Sequence, residues 1–181
     1  MDNENFRRSH GNFRWDGVAH QPYKQDGEAP FKDISRQTLF HNDALACELR
    51  YFEMDANGWS SLERHEHAHA VMILRGRGQC MVGDEVREVK QFDLVTIPGS
   101  TWHQFRATAG EPFGFLCMVN MTRDRPVLPT AEELARMRSN PAVAAFLADQ
   151  PAAKNASASR TTSASAPSAN GEIRPASFTS S

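Results

Sequence analysis

The chain has 181 residues, 40% apolar and 23% charged, a length that suits one hydrophobic core with appendages rather than two domains. Twenty Lys and Arg against 22 Asp and Glu leave a formal charge of −2 with no basic cluster, which sets aside nucleic acid and anionic membrane as partners. The cysteines, Cys47, Cys80 and Cys117, are odd in number and widely spaced, which argues against a disulfide framework or a Cys-rich zinc module and fits a reducing, cytoplasmic setting.

Residues 1–35 read as an extended arm, polar and punctuated by Pro22, Gly27 and Pro30, with Phe6, Phe13, Trp15, Tyr23 and Phe31 as the rings that dock it on a body. Its start lacks an apolar targeting segment, and no later stretch approaches the roughly 20 apolar residues of a membrane span. From 36 to 126, turn signals recur at HND 41–43, DANG 55–58, RGRG 75–78, GDE 83–85, PGS 98–100 and AGEP 109–112, the spacing of short strands in a sandwich or barrel. The run 44–54 alternates, with Cys47, Leu49 and Tyr51 on one face and Glu48 and Arg50 on the other. Runs 70–74 and 113–120 are apolar on both faces and call for cover from the arm or from a second subunit, hence a homodimer. The strip 75-RGRGQ-79 leads from one β run into another, so it reads as a hairpin turn and not a dinucleotide loop.

Residues 127–149 carry two short helices. Thr130 and Glu133 have capping-box spacing, and Pro141 suits the first turn of the second helix. Residues 150–181 are Ala, Ser, Thr, Pro and Asn with little else, too little apolar surface to offset about 1–2 kcal/mol of backbone entropy per residue, and are expected to form a disordered tail.

Of seven histidines, three stand at alternate positions in 65-HEHAH-69. On a strand, His65, His67 and His69 project to one side, together with Glu63. Converging neutral imidazoles hold a first-row transition metal rather than calcium or magnesium. A second fragment, 92-FDLVTIPGSTWHQF-105, adds His103 after a Pro-Gly turn.

With these residues the chain resembles the cupin superfamily, whose two motifs are Gly, five residues, His-x-His, three or four residues, Glu, six residues, Gly; and Gly, five residues, Pro-x-Gly, two residues, His, three residues, Asn. Gly58, His65, His67 and Gly76 echo the first motif, and Pro98 and His103 hold the spacing of the second. Phe92 and Ser100 stand where the second motif has glycines, and Ala107 replaces its Asn. Val71 and Met72 occupy the positions of the expected Glu, whereas counting back from Gly76 gives His69, as if the intervening loop were about two residues shorter.

The resemblance implies an all-β, cupin-type double-stranded β-helix, a jelly-roll barrel with short C-terminal helices. It also implies a metal site of His65, His67, His69 and His103 that binds a divalent transition metal. Fe(II) is favoured, with Ni, Zn, Cu or Mn as alternatives. All-histidine sites in this family occur among dioxygenases, so the implied activity is that of a small-molecule dioxygenase; a ligand-binding or regulatory module without turnover is the rival reading.

Around that site, Glu63 shares the parity of the histidines and reads as an orienting support or a base, or else as a solvated strand-end charge. Phe105 is expected to pack the barrel interior, and Trp102 to point away from His103. Cys117 shares parity with Phe113, Phe115 and Val119 and so faces inward, where a small apolar residue needs no function; a Cys80 or Cys117 close to the metal would shift the chemistry toward copper or redox work. The segment 122-TRDRP-126 reads as ion-pair anchoring for the helical end, with substrate carboxylate binding by Arg123 or Arg125 as the alternative.

Overall fold

The computed structural model describes residues 5–24 and 29–148; the tail expected at 150–181 lies outside the described residues. The strands are β1 Ser9–Gly11, β2 Arg14–Trp15, β3 Gln21–Pro22, β4 Lys32–Asn42, β5 Cys47–Trp59, β6 His69–Arg75, β7 Arg77–Val82, β8 Glu85–Lys90, β9 Leu94–Ile97, β10 His103–Ala107 and β11 Phe113–Asn120, followed by α1 Ala131–Met137 and α2 Pro141–Phe146. One antiparallel sheet runs β8-β7-β10-β5-β11-β6-β9, with β4 also on β5 and β3 on β4, and it curls into the jelly-roll barrel.

Two turn signals have other uses. DANG 55–58 lies inside β5, not between strands; Asn57 takes the left-handed φ of 64° there, and the bend lets one strand pair β11 as far as Met54 and then β10 at Trp59. RGRG 75–78 is not a hairpin, because β6 pairs β9 and β11 while β7 pairs β8 and β10. Gly76 is the corner between the two halves: its φ is 63°, and a Cβ would sit 2.2 Å from the Pro112 carbonyl oxygen.

The interior is filled by Phe52, Met54, Val71, Ile73, Ile97, Phe105, Phe113 and Phe115 among others. A second cluster lies outside the β7–β8–β10 side, where α1 and α2 bring Val143, Phe146, Leu147, Leu134 and Met137 against Met81, Leu62 and Trp102. Burying each such large side chain contributes about 1.5–3 kcal/mol. The capping box forms as expected, with Thr130 Oγ1 accepting the Glu133 N–H at 3.2 Å and Glu133 Oε2 accepting the Thr130 N–H at 2.9 Å. Asn140 accepts the Ala142 N–H at 2.9 Å and donates to the Asp84 carbonyl at 3.0 Å, stapling α2 to the β7–β8 turn.

The arm docks through its rings. Phe13 stacks on Tyr51 with centroids 5.4 Å apart, Trp15 meets the same ring edge-on at 5.2 Å, and Tyr23 packs on Phe31 and Phe52, while Phe6 stays 74% exposed. The arm covers only part of the outer sheet face, leaving Phe40, Met72, Leu94 and Met118 exposed.

Candidate metal centre and its pocket

The expectation of a histidine strand needs correction. Only His69 lies on a strand, as the first residue of β6; His65 and His67 sit in the loop before it, which bends at Glu66–His67. The loop is held by backbone bonds that replace a sheet ladder. Glu63 and His103 exchange N–H···O bonds of 3.2 and 3.0 Å, and Ser100 N–H donates to the His65 carbonyl at 2.6 Å. These bonds dock the 65–69 loop against the start of β10 and so bring His103 to the other histidines.

The rings converge. His65 stacks on His67 at 3.8 Å and on His69 at 4.4 Å, and lies edge-on to His103 at 4.9 Å. The ligand atoms of His65, His69 and His103 lie within 4.8 Å of one another, and those of His65 and His67 form a second such group with Asp124. The four histidines picked from the sequence are therefore together, three as one donor set and His67 stacked beside it.

Hydrogen bonds orient the rings. His65 Nδ1 faces the His67 carbonyl at 2.9 Å, His103 Nδ1 the Thr101 carbonyl at 2.9 Å, and His67 Nδ1 the Asp124 carboxylate at 2.8 Å. These oxygens only accept, so each neutral ring carries its proton on Nδ1 and keeps a lone pair on Nε2, the tautomer a metal ligand requires. His69 Nδ1 lies 3.1 Å from Cys117 Sγ, and its Nε2 is buried with no partner among the described residues. An orphaned buried nitrogen in a ring of nitrogens fits a cation.

Electrostatics agree. Burial, then the neighbouring His103 and His67, lowers His65 to about 4; burial, then His65 and His103, lowers His69 to about 2; burial also lowers His103. All three are thus neutral donors at ordinary pH. The Glu66 backbone N–H, at 2.9 Å, and then His67 hold Asp124 down at about 2, so it stays a carboxylate beside His67.

The rings face a cavity of about 840 Å³. Cys117 on β11 pairs with Arg50 on β5 and with Val71 on β6, and His69 stands two residues before Val71, so Arg50, Cys117 and His69 share the inner face. The alternation expected in 44–54 is present with its polar side turned inward: Arg50 lines the cavity, while Tyr51 lies under the arm. Arg36, Arg123, Tyr23 and an ion-paired Lys24 and Glu63 complete the wall with Phe105. Cys80 is buried in the core and does not line the cavity, and burial pushes the Cys117 thiol up to about 12. Trp102 points away, onto the helical cluster and the Arg64 guanidinium, as expected.

Asp124, Arg36 and Arg50 are the site residues that the sequence did not disclose. The signal for Arg50 is its shared parity with Phe52, and for Asp124 its position just after the last strand.

A family model described as a cupin domain matches residues 50–119. The chain is 56% identical over 146 residues to the 1-methylthio-D-xylulose 5-phosphate methylsulfurylase of Rhodospirillum rubrum, which spans 81% of this chain and 94% of that protein. The chain belongs to the cupin family. Among solved cupins, a cupin 2 conserved barrel domain protein from Rhodopseudomonas palustris superposes with a TM-score of 0.74 at 59% identity, covering 78% of this chain and 97% of that one. A cupin-2 domain from Rhodospirillum rubrum gives 0.72 at 56%, covering 80% and 97%.

This cupin departs from the family motif where the backbone wants glycine. Phe92 has φ 74° and Ser100 has φ 61°, so both hold the left-handed conformation of the glycines they replace. His69, at the start of β6, stands where the motif's Glu is expected, and among the described residues the carboxylate grouped with the histidines, Asp124, reaches the cluster from beyond β11 through His67. The nitrogen-rich donor set suits a transition metal.

Proposed function

We propose that this cupin transfers the methylthio group of a 1-methylthio-ketose 5-phosphate to a thiol, with Cys117 as the first acceptor. The observation that carries the reading is Cys117 Sγ in the pocket wall, 3.1 Å from His69 Nδ1. The 56%-identical Rhodospirillum rubrum methylsulfurylase supports it. A divalent metal on His65, His67, His69 and His103 would supply Lewis-acid polarisation of the substrate's C2 carbonyl, a role open to Fe(II), Mn, Ni or Zn alike.

Cys117 supplies the nucleophile. Its thiolate attacks the thioether sulfur, the S–S bond forms, and the S–C1 bond breaks. The released electron pair passes into the C2 carbonyl as an enolate, which takes a proton at C1. The products are a 1-deoxy-ketose 5-phosphate and a methyl disulfide on Cys117. A second, small thiol then attacks the methylthio sulfur, leaving as its own methyl disulfide and returning Cys117 as thiolate. Were His69 Nε2 to hold a cation, Nδ1 would keep its proton and donate to Sγ, favouring the thiolate that burial alone opposes. Tyr23, held protonated by burial and by the Glu63 charge, is one hydroxyl of the pocket wall, beside Ser60 and Ser61, and is the one assigned to deliver the proton. The dioxygenase reading implied by an all-histidine site uses neither the thiol nor the named relative.

The test is to incubate the metal-loaded protein with 1-methylthio-D-xylulose 5-phosphate and a small thiol, and to follow both products by NMR. Equal amounts of the 1-deoxy sugar phosphate and the mixed methyl disulfide are expected. Substrate unchanged at stoichiometric enzyme would sink the reading.

A further inference from the structure

Three guanidiniums line the pocket beside Cys117, and the metal centre has no use for them. Arg36 on β4 stands opposite Phe52, Arg50 on β5 stands opposite Cys117, and Arg123 follows the end of β11. Glu48 accepts from Arg50 Nε at 2.7 Å and from Arg123 Nη1 at 3.2 Å, which fixes both side chains and cancels one charge. Arg36 donates to Gln21 at 3.2 Å, yet its Nε is buried with no hydrogen-bond partner among the described residues. Two of these positive charges therefore have no carboxylate of their own, since Lys24 is taken by Glu63, and Asp124, which also lines the pocket, is held by His67 and the Glu66 N–H. Holding like charges together in a partly buried wall costs stability unless an anion answers them, and an unpaired buried N–H costs more.

The structure assigns Arg36, Arg50 and Arg123 as the cradle of a phosphate monoester. A phosphate monoester carries about −1.5 to −2 at pH 7, and its three oxygens suit planar guanidinium forks. Adjacent strands stand about 4.8 Å apart, so Arg50 on β5 lies one strand from Cys117 and two from the start of β6, where His69 sits, and Arg36 on β4 lies one strand further out. A small phosphorylated sugar spans that gap with its phosphate on the arginines and its far carbons at the thiol and the histidines. The inference rests on the reading of the pocket as a ketose phosphate site, and it adds which residues select the phosphate.

The test is calorimetric titration of the full chain, with its metal content as purified, against D-xylulose 5-phosphate and D-xylulose. Wild type is expected to bind the phosphorylated sugar at least about 100-fold more tightly than the neutral one, weakening as salt rises. Arg36→Met and Arg123→Met, two variants on different elements, should each lose about 10-fold or more, with Arg36→Lys recovering part. Equal binding of the two sugars by wild type, which needs no variant, overturns the cradle, as does unaltered phosphate-sugar affinity in both folded methionine variants. His103→Ala separates the two readings, because it should lose methylthio transfer and keep the preference for phosphate. A preference for phosphate in a wild-type chain that transfers no methylthio group would leave the cradle standing and defeat only the proposed reaction.

Discussion

His69 touches Cys117 through one ring nitrogen, Nδ1 to Sγ at 3.1 Å, and presents the other, Nε2, buried and unpaired to the pocket. A single imidazole thus joins the thiol to the place where a cation fits. Cys117→Ala is expected to keep metal affinity and the fold but lose at least about 100-fold in turnover, because the proposed nucleophile is gone. Cys80→Ala, outside the cavity, should keep its activity. Elemental analysis and steady-state rates on both variants check this, and an active Cys117→Ala enzyme defeats the covalent route.

Asp124 is predicted to act through His67. Its carboxylate accepts from His67 Nδ1 at 2.8 Å and from the Glu66 N–H at 2.9 Å, so it fixes both the ring and the loop that carries it. Asp124→Asn should weaken metal binding about 10–100-fold, measured by competition with a chromogenic chelator. Unchanged affinity would mean that the ring needs no such support.

The family and the donor types were legible because they depend on local spacing: Pro98 to His103, and three histidines within five residues. The loop conformation of His65 and His67 was not, since alternation in sequence looks the same on a strand and on a chain bent by distant bonds from Ser100 and His103. The inward turn of Arg50 was hidden for a similar reason. Period two states that Tyr51 and Arg50 face opposite ways, but only the arm, with Phe13 on Tyr51, decides which face is inside. Asp124 and Arg36 come from segments remote in sequence, and no spacing rule ties either to the histidines.

Phe92 and Ser100 offer a stability gain. Each sits at positive φ, 74° and 61°, and Phe92 is 72% exposed, so little packing is lost on truncation. Left-handed backbone costs a side-chain-bearing residue about 1–2 kcal/mol, partly offset by the extra unfolded-state freedom of glycine. Phe92→Gly and Ser100→Gly should each raise Tm by about 2–4 °C in a thermal melt. A drop in Tm for both would contradict the strain.

Acid should destabilise the metal-free protein in a defined window. His65 and His69 sit at about 4 and about 2 when folded, against an ordinary 6.5, so the unfolded chain takes up protons first as pH falls. Stability is therefore fully present above pH 6.5 and is lost progressively from there, toward about 4 for His65 and about 2 for His69. Asp124, lowered from 3.8 to about 2, adds its own loss in the lower part of that window. Melting curves in chelator between pH 8 and 4 should show Tm falling below about 6.5, less steeply in His65→Asn. A flat Tm down to pH 5 would contradict neutral, buried rings.

The most direct measurement is intact-mass and peptide mass spectrometry of the metal-loaded full chain after exposure to 1-methylthio-D-xylulose 5-phosphate with no second thiol present. The expected result is one methylthio group in place of one hydrogen, on the peptide that holds Cys117, absent after metal removal and released by added thiol. Substrate consumed while Cys117 stays unmodified, or an adduct only on Cys47, would contradict transfer through the pocket thiol.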